Sequence, residues 1–195
     1  YNIYHEHYNY WSLTSLELFF KSYENIKIFK VEKINTHGGS IRVYLKKNKS
    51  QKIDMSVPAM LKKEYEFGLK KYETYEKFGK KINILRNNFT RNINKFIKEN
   101  GKLIAYGAPA KATTALNFFG VKDQIKYIIE DNKLKHNKFV PGVNIPIYSK
   151  KKLKKKADNI LVLAWNFFKE IKNNNKSLSK NFINIKDLTK NYEEK

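Results

Sequence analysis

Lys102-Leu103-Ile104-Ala105-Tyr106-Gly107-Ala108-Pro109-Ala110-Lys111-Ala112-Thr113-Thr114 places an apolar run, a turn of small residues and the start of a helical pattern in immediate succession. Residues 102–106 are short and apolar enough for a buried strand, 107–113 form the turn, and 114–119 continue as helix. A strand that hands over to a helix through a tight turn leaves the first helical amides pointing outward with partial positive charge. Such an end accepts a phosphate, and Lys111 adds a full positive charge to it. Gly107, Ala108, Lys111 and Thr113 are therefore candidate contacts for a phosphate-bearing ligand. The turn lacks the later glycines of the full dinucleotide fingerprint, and small residues stand in their place.

Downstream, the same alternation repeats. Residues 125–129 read as a second strand ending on Glu130-Asp131-Asn132, and 145–148 as a short extended piece. The run 150–156 reads as a helix, 160–165 as a third buried strand, and a further helix is expected to begin near Asn166. Strands alternating with helices imply a parallel sheet with crossover connections, so residues 101–195 are expected to form a small Rossmann-like domain. Asp131 falls where such folds carry the acid that binds a ribose, and a cap or turn role fits it equally. The lysines of 150–156 suit a solvated helix face, and no aromatic residues interleave them to stack bases.

Upstream of residue 101 the periodicity changes. Ser12-Leu13-Thr14-Ser15-Leu16-Glu17 offers a helix start, either Ser12 with Ser15 or Thr14 with Glu17, and a helix over 12–23 follows. Residues 26–34 and 40–46 alternate apolar and polar, and the glycines of Asn35-Thr36-His37-Gly38-Gly39 permit positive φ between them, so the pair reads as an antiparallel hairpin. Next to those glycines, His37 and Gly38 are candidate ligand contacts. After a polar joint at 48–54, apolar residues recur at intervals of three, four or seven from Leu61 to Phe96. They predict a long amphipathic helix or two abutting ones that pack a stripe on their neighbours. Gly68 and Gly79 each cost about 1 kcal/mol there relative to Ala and mark places for a break. Asn100-Gly101 is the expected C-cap.

Composition sets the outer bounds. The 195 residues, 41% of them hydrophobic, suffice for one domain or two small units. The formal charge of +22 is spread along the chain beside abundant Asn, Ile and Tyr, the signature of Lys-favouring codons rather than of a nucleic-acid partner. With no Cys there are no disulfides or thiolate metal sites, and with no apolar run long enough to span a bilayer the expected compartment is the cytoplasm. The chain begins at Tyr1 directly on a chemically dense motif and reads as a fragment. That motif, Tyr4-His5-Glu6-His7, holds two of the four histidines with a carboxylate between them. It suits proton transfer; metal ligation and a structural surface cluster remain open for it.

Together these segments resemble the nucleotide-sugar C-methyltransferase family. The matching stretches are Ile3-Tyr4-His5-Glu6-His7-Tyr8 with Ser12-Leu13-Thr14, then Thr36-His37-Gly38-Gly39-Ser40-Ile41-Arg42-Val43-Tyr44. They continue in Tyr106 through Thr114 with Asn117, in Pro141-Gly142 with Ile145-Pro146-Ile147, and in Ala164-Trp165-Asn166, in order along nearly the whole chain. The resemblance implies an α/β protein: residues 1–50 as the end of a class I methyltransferase sheet, 56–100 as a helical connector and 101–195 as the Rossmann-like C-terminal domain. It implies S-adenosylmethionine as methyl donor, bound mainly by a part upstream of Tyr1, where the family also has a zinc-binding region. It implies a keto-deoxysugar on a nucleotide as substrate, with no nucleic-acid or membrane partner. It further implies His7 as the base that removes the proton next to the keto group, with Tyr4 and Glu6 positioning or polarising. The alternatives are a free-standing Rossmann-like module for a nucleotide or a protein partner, and a basic nucleic-acid-binding protein.

Overall fold

The computed structural model describes residues 8–36, 39–47 and 52–191, which divide into two compact units, one ending at Lys80 and the other beginning at Lys81. In the first, helix α1 (Leu13–Phe20) starts on Ser12, whose hydroxyl accepts from the Ser15 amide while the Ser15 hydroxyl accepts from the Ser12 amide. Of the two expected starts, the Ser12–Ser15 box is therefore the one formed. Glu64 also caps this helix from fifty positions away: its carboxylate accepts the Leu13 and Thr14 amides at 2.8 and 2.7 Å and the Thr14 hydroxyl at 2.6 Å. A carboxylate at the positive end of a helix satisfies amides that have no partner within the helix.

Strands β1 (Lys27–Ile34) and β2 (Ser40–Lys46) form the expected antiparallel hairpin, with Val31 opposite Val43 and an irregularity between Ile28 and Lys30. Helix α2 (Ser56–Phe67) covers it, and Leu13, Ile28, Val31 and Val57 make the small core. Gly68, at φ +82°, ends α2 in the left-handed conformation, so the break falls at the first of the two glycines. Gly79 lies inside helix α3 (Tyr72–Asn100), which runs from the first unit into the second. The apolar stripe of α3 is buried only in its second half, at Phe89 and Ile93; Tyr72, Tyr75 and Phe78 stand exposed. Gly101, at φ +75°, closes α3 by donating its amide to the Ile97 carbonyl at 2.8 Å.

The second unit is a five-stranded parallel sheet in the order β5-β4-β3-β6-β7. Its strands are β3 (Leu103–Tyr106), β4 (Ile125–Ile129), β5 (Ile147–Tyr148), β6 (Ala157–Val162) and β7 (Ser179–Asn184), with helices α4 (Ala110–Phe119) and α5 (Phe168–Asn174) in the connections. The apolar runs of β3, β4 and β6 fill the middle of the sheet, as strands covered on both faces must be. Phe89 and Ile93 of α3 join Ala105, Leu116, Ile128 and Leu161 in the main core, where Phe89 stacks on Phe119 at 4.1 Å between ring centroids.

Two expectations change here. Helix α4 begins at Ala110, four residues before the expected start, because Pro109 adopts the extended conformation of an N-cap. The lysine run is not a helix: a single 3-10 turn covers Lys150–Lys152, and from Leu153, at φ −80° and ψ +99°, the chain runs without helix into β6. Lysines four apart, 150 with 154, 151 with 155 and 152 with 156, repel along one helix face, which weighs against a helix.

Candidate functional site

Strand β3 lies at the centre of the sheet, with β4 on one side and β6 on the other. The connection from β3 leads through α4 to β4, and the chain later returns to the opposite side of β3, so the order reverses between β3 and β6. In open parallel sheets, ligands bind outside the carboxyl ends of the strands at such a switch point.

The turn after β3 shapes this crevice. Gly107 has φ +85°, and a methyl group there would meet the Ala164 Cβ at 3.1 Å. Gly107 therefore serves both the turn and the close approach of Ala164 in the loop after β6. The Gly107 amide donates to the Ile129 carbonyl at 2.8 Å, and the Leu163 amide to the Tyr106 carbonyl at 2.9 Å. Gly142, at φ +82°, has a related role: the Asn117 side chain fills the space a Cβ would need, with its Oδ1 2.0 Å from that position, and donates to the Thr113 and Pro141 carbonyls at 2.8 and 2.9 Å.

The ends of β3 and β4 are clasped together. Glu130 accepts the Ala108 amide at 2.7 Å on one carboxylate oxygen and the Asp131 and Asn132 amides, each at 2.9 Å, on the other. Lys135 Nζ donates to the Ala108 carbonyl at 2.7 Å, and His136 Nε2 lies 2.7 Å from the Glu130 carbonyl. Both backbone polar groups of Ala108 are thus engaged within the protein. Asp131, the candidate ribose ligand, accepts the Tyr106 hydroxyl at 2.5 Å and the Lys150 ammonium at 2.9 Å. The Lys150 ammonium also lies 5.5 Å from the centroid of the Tyr106 ring, whose hydroxyl donates to the side-chain Oδ1 of Asn175 at 3.4 Å.

These contacts set the local protonation. Burial pushes the Asp131 carboxyl up, but the hydrogen bonds from Tyr106 and Lys150, with the charge of Lys150, outweigh it and hold the group below the ordinary carboxylate value. Burial and the bond to Asp131 push the Tyr106 phenol up. Lys150 is lowered by burial but raised more by its bonds to Asp131 and Tyr106, and stays fully charged.

Gly107, Ala108 and Asp131 therefore meet at one end of the sheet, with Lys111 half-buried on the first turn of α4 and Thr113 one residue short of its second. Tyr4, Glu6, His7, His37 and Gly38 lie outside the described residues. Glu130, Tyr106, Lys150 and Asn175 were not foreseen as part of this site. Among the described residues no three His, Asp or Glu side chains gather as a metal site, and no helix is long and apolar enough to cross a membrane.

Residues 35–184, which include the whole of this crevice, match the sequence model of the family described as the C-methyltransferase C-terminal domain. The chain belongs to that family. A search of characterised proteins adds the C-methyltransferase NovU of Streptomyces niveus, 33% identical over 183 residues, which are 92% of this chain and 43% of NovU. The chain thus spans less than half the length of this C-methyltransferase relative.

Proposed function

We propose that the chain is the C-terminal part of an S-adenosylmethionine-dependent C-methyltransferase acting on a nucleotide-linked keto-deoxysugar. In this reading residues 1–50 end the methyltransferase domain, 56–100 connect, and 101–195 form one wall of the nucleotide-sugar site. The observation that carries it is the convergence of Gly107, Ala108, Asp131 and Ala164 at the switch point of the parallel sheet, within a segment belonging to a C-methyltransferase family.

The proposed chemistry starts from the substrate. A keto group acidifies the carbon beside it; His7 takes that proton, and the electron pair moves into an enolate whose oxygen needs a donor or a positive charge nearby. Tyr4 is assigned to polarise that oxygen and Glu6 to orient the imidazole. Lys111 and the first turn of α4 are assigned to the diphosphate.

S-adenosylmethionine would supply an electrophilic methyl group on a sulfonium. Glu130, the carboxylate that reaches the glycine turn, is not free to hold the cofactor's ribose, because its two oxygens are bonded to three backbone amides. Cofactor binding is assigned to the rest of the enzyme.

In the full-length enzyme, His7→Ala should abolish both methyl transfer and solvent exchange of the substrate's α-hydrogen while leaving S-adenosylmethionine binding intact. Exchange at the wild-type rate would remove His7 from the role of base. Lys111→Ala should weaken nucleotide-sugar binding with no change in cofactor affinity.

A further inference from the structure

The opposite, amino-terminal edge of the same sheet holds a groove of about 440 Å³. Its walls are the beginnings of β3, β4 and β6, the end of α3, and the chain segment that leads from the 3-10 turn into β6. The lysines of that segment are exposed and line the groove. Lys154, Lys155 and Lys156 come from it, Lys152 from the 3-10 turn before it, Lys102 from the position just before β3 and Lys126 from β4.

Six of the sixteen lining residues are lysine, against 40 lysines and arginines in the 195-residue chain, so cationic groups are nearly twice as dense here as on average. The carboxylate in the lining, Asp158, is ion-paired to Lys180 at 2.8 Å. Positive charge gathered in a concavity with low-dielectric walls focuses its field into the groove and concentrates anions there. The apolar lining comes from both faces of the sheet: Phe96 packs with the main core, and half-buried Ile104, Tyr127 and Leu153 pack with the smaller core on the other face. Tyr127 is held edge-on against Tyr148, with ring centroids 5.8 Å apart, and Lys152 lies over the Tyr148 ring at 4.5 Å. A cationic rim over an aromatic floor suits a ligand that carries several negative charges next to a flat ring.

We infer that this groove binds a nucleoside polyphosphate, with the phosphates on Lys126 and Lys154 to Lys156 and the base against Tyr127. The volume lies within the range of small-molecule sites and accommodates one nucleotide, not a strand. The site is separate from the crevice at the carboxyl edge and does not depend on the function proposed for that crevice.

The test uses the whole chain, with ATP and inorganic tripolyphosphate as probes and calorimetric titration as readout. ATP should bind one to one and more tightly than tripolyphosphate. Lys154→Gln, Lys155→Gln and Lys156→Gln together should weaken both probes by roughly tenfold or more, because each lost phosphate contact removes a share of counterion release. Tyr127→Ala should bring ATP down to the affinity of tripolyphosphate, and Tyr127→Phe should restore it, since the ring and not its hydroxyl stacks. Lys111→Ala, at the other edge, should leave ATP binding unchanged.

The inference is overturned if binding does not saturate at one equivalent, if ATP and tripolyphosphate bind alike, or if the triple variant binds as the wild type does. A loss of ATP binding in Lys111→Ala would move the nucleotide to the carboxyl edge. Single-stranded RNA that binds more tightly than ATP and covers many nucleotides per chain would make the lysines a nucleic-acid surface instead.

Discussion

Replacing Gly142 by Ala tests whether the Asn117 contact shapes the wall of the crevice. Two costs add. At φ +82° an L-residue with a Cβ is in the left-handed region, which costs about 1–2 kcal/mol. The new methyl would lie 2.0 Å from Asn117 Oδ1, so Asn117 must swing away and lose its bonds to the Thr113 and Pro141 carbonyls. At this partly wet site those bonds are together worth about 1 kcal/mol. The sum is about 2–3 kcal/mol, or a fall of roughly 10 °C in Tm for a unit of this size. Thermal and urea denaturation of Gly142→Ala, Asn117→Ala and the double variant would measure it. Since the first substitution already sacrifices the Asn117 bonds, the second should add little, and the pair should be sub-additive by about 1 kcal/mol. Strict additivity, or a Gly142→Ala variant as stable as the wild type, would refute the reasoning.

Asp131→Asn addresses the charge network. The folded carboxyl is held below its unfolded value, so its contribution to stability is complete above about pH 4 and is lost as pH falls through the lower folded value. The stability difference between wild type and Asp131→Asn, from urea midpoints, should therefore be larger at about pH 7 than at about pH 2; a difference independent of pH would contradict the network. Glu64→Ala removes three hydrogen bonds at the start of α1 and should destabilise the first unit by about 2 kcal/mol, with faster amide exchange at Leu13 and Thr14. Exchange at the wild-type rate would mean that Ser12 caps the helix without it.

Much of this architecture can be read from local pattern, and the exceptions have physical causes. Strands β3 and β4 and the second half of β6 are legible because a strand buried on both faces must be a largely apolar run, and Ile125–Ile129 falls where that run lies; the polar start of β6, Asp158 and Asn159, hides its first half. Strand β7 is not, because as an edge strand it buries only Ser179 and Phe182, and Lys180, Asn181 and Asn184 dilute any alternation. The crevice is half-legible for a similar reason. Gly107 is legible as the turn that follows an apolar strand, whereas Glu130 reaches Ala108 across 22 positions and Tyr106 reaches Asn175 across 69, contacts that no short-range periodicity encodes. The lysine run illustrates the opposite error. Its spacing allows a helix, and only the mutual repulsion of its charges and the tie of the next strand to β3 and β7 argue for an extended path.

The two margins of the parallel sheet govern how the protein behaves at high concentration. An exposed strand offers unpaired amides and carbonyls on which another chain can grow. On one side β5 is only two residues long and its outer edge is already taken: the Ile147 amide donates to the Lys138 carbonyl at 2.8 Å and the Asn137 amide to the Ile147 carbonyl at 2.9 Å. On the other, β7 carries Lys180 and two asparagines, so an arriving copy of so basic a chain would have to bring its own lysine against this one. Neither margin is a good template for another copy of the chain.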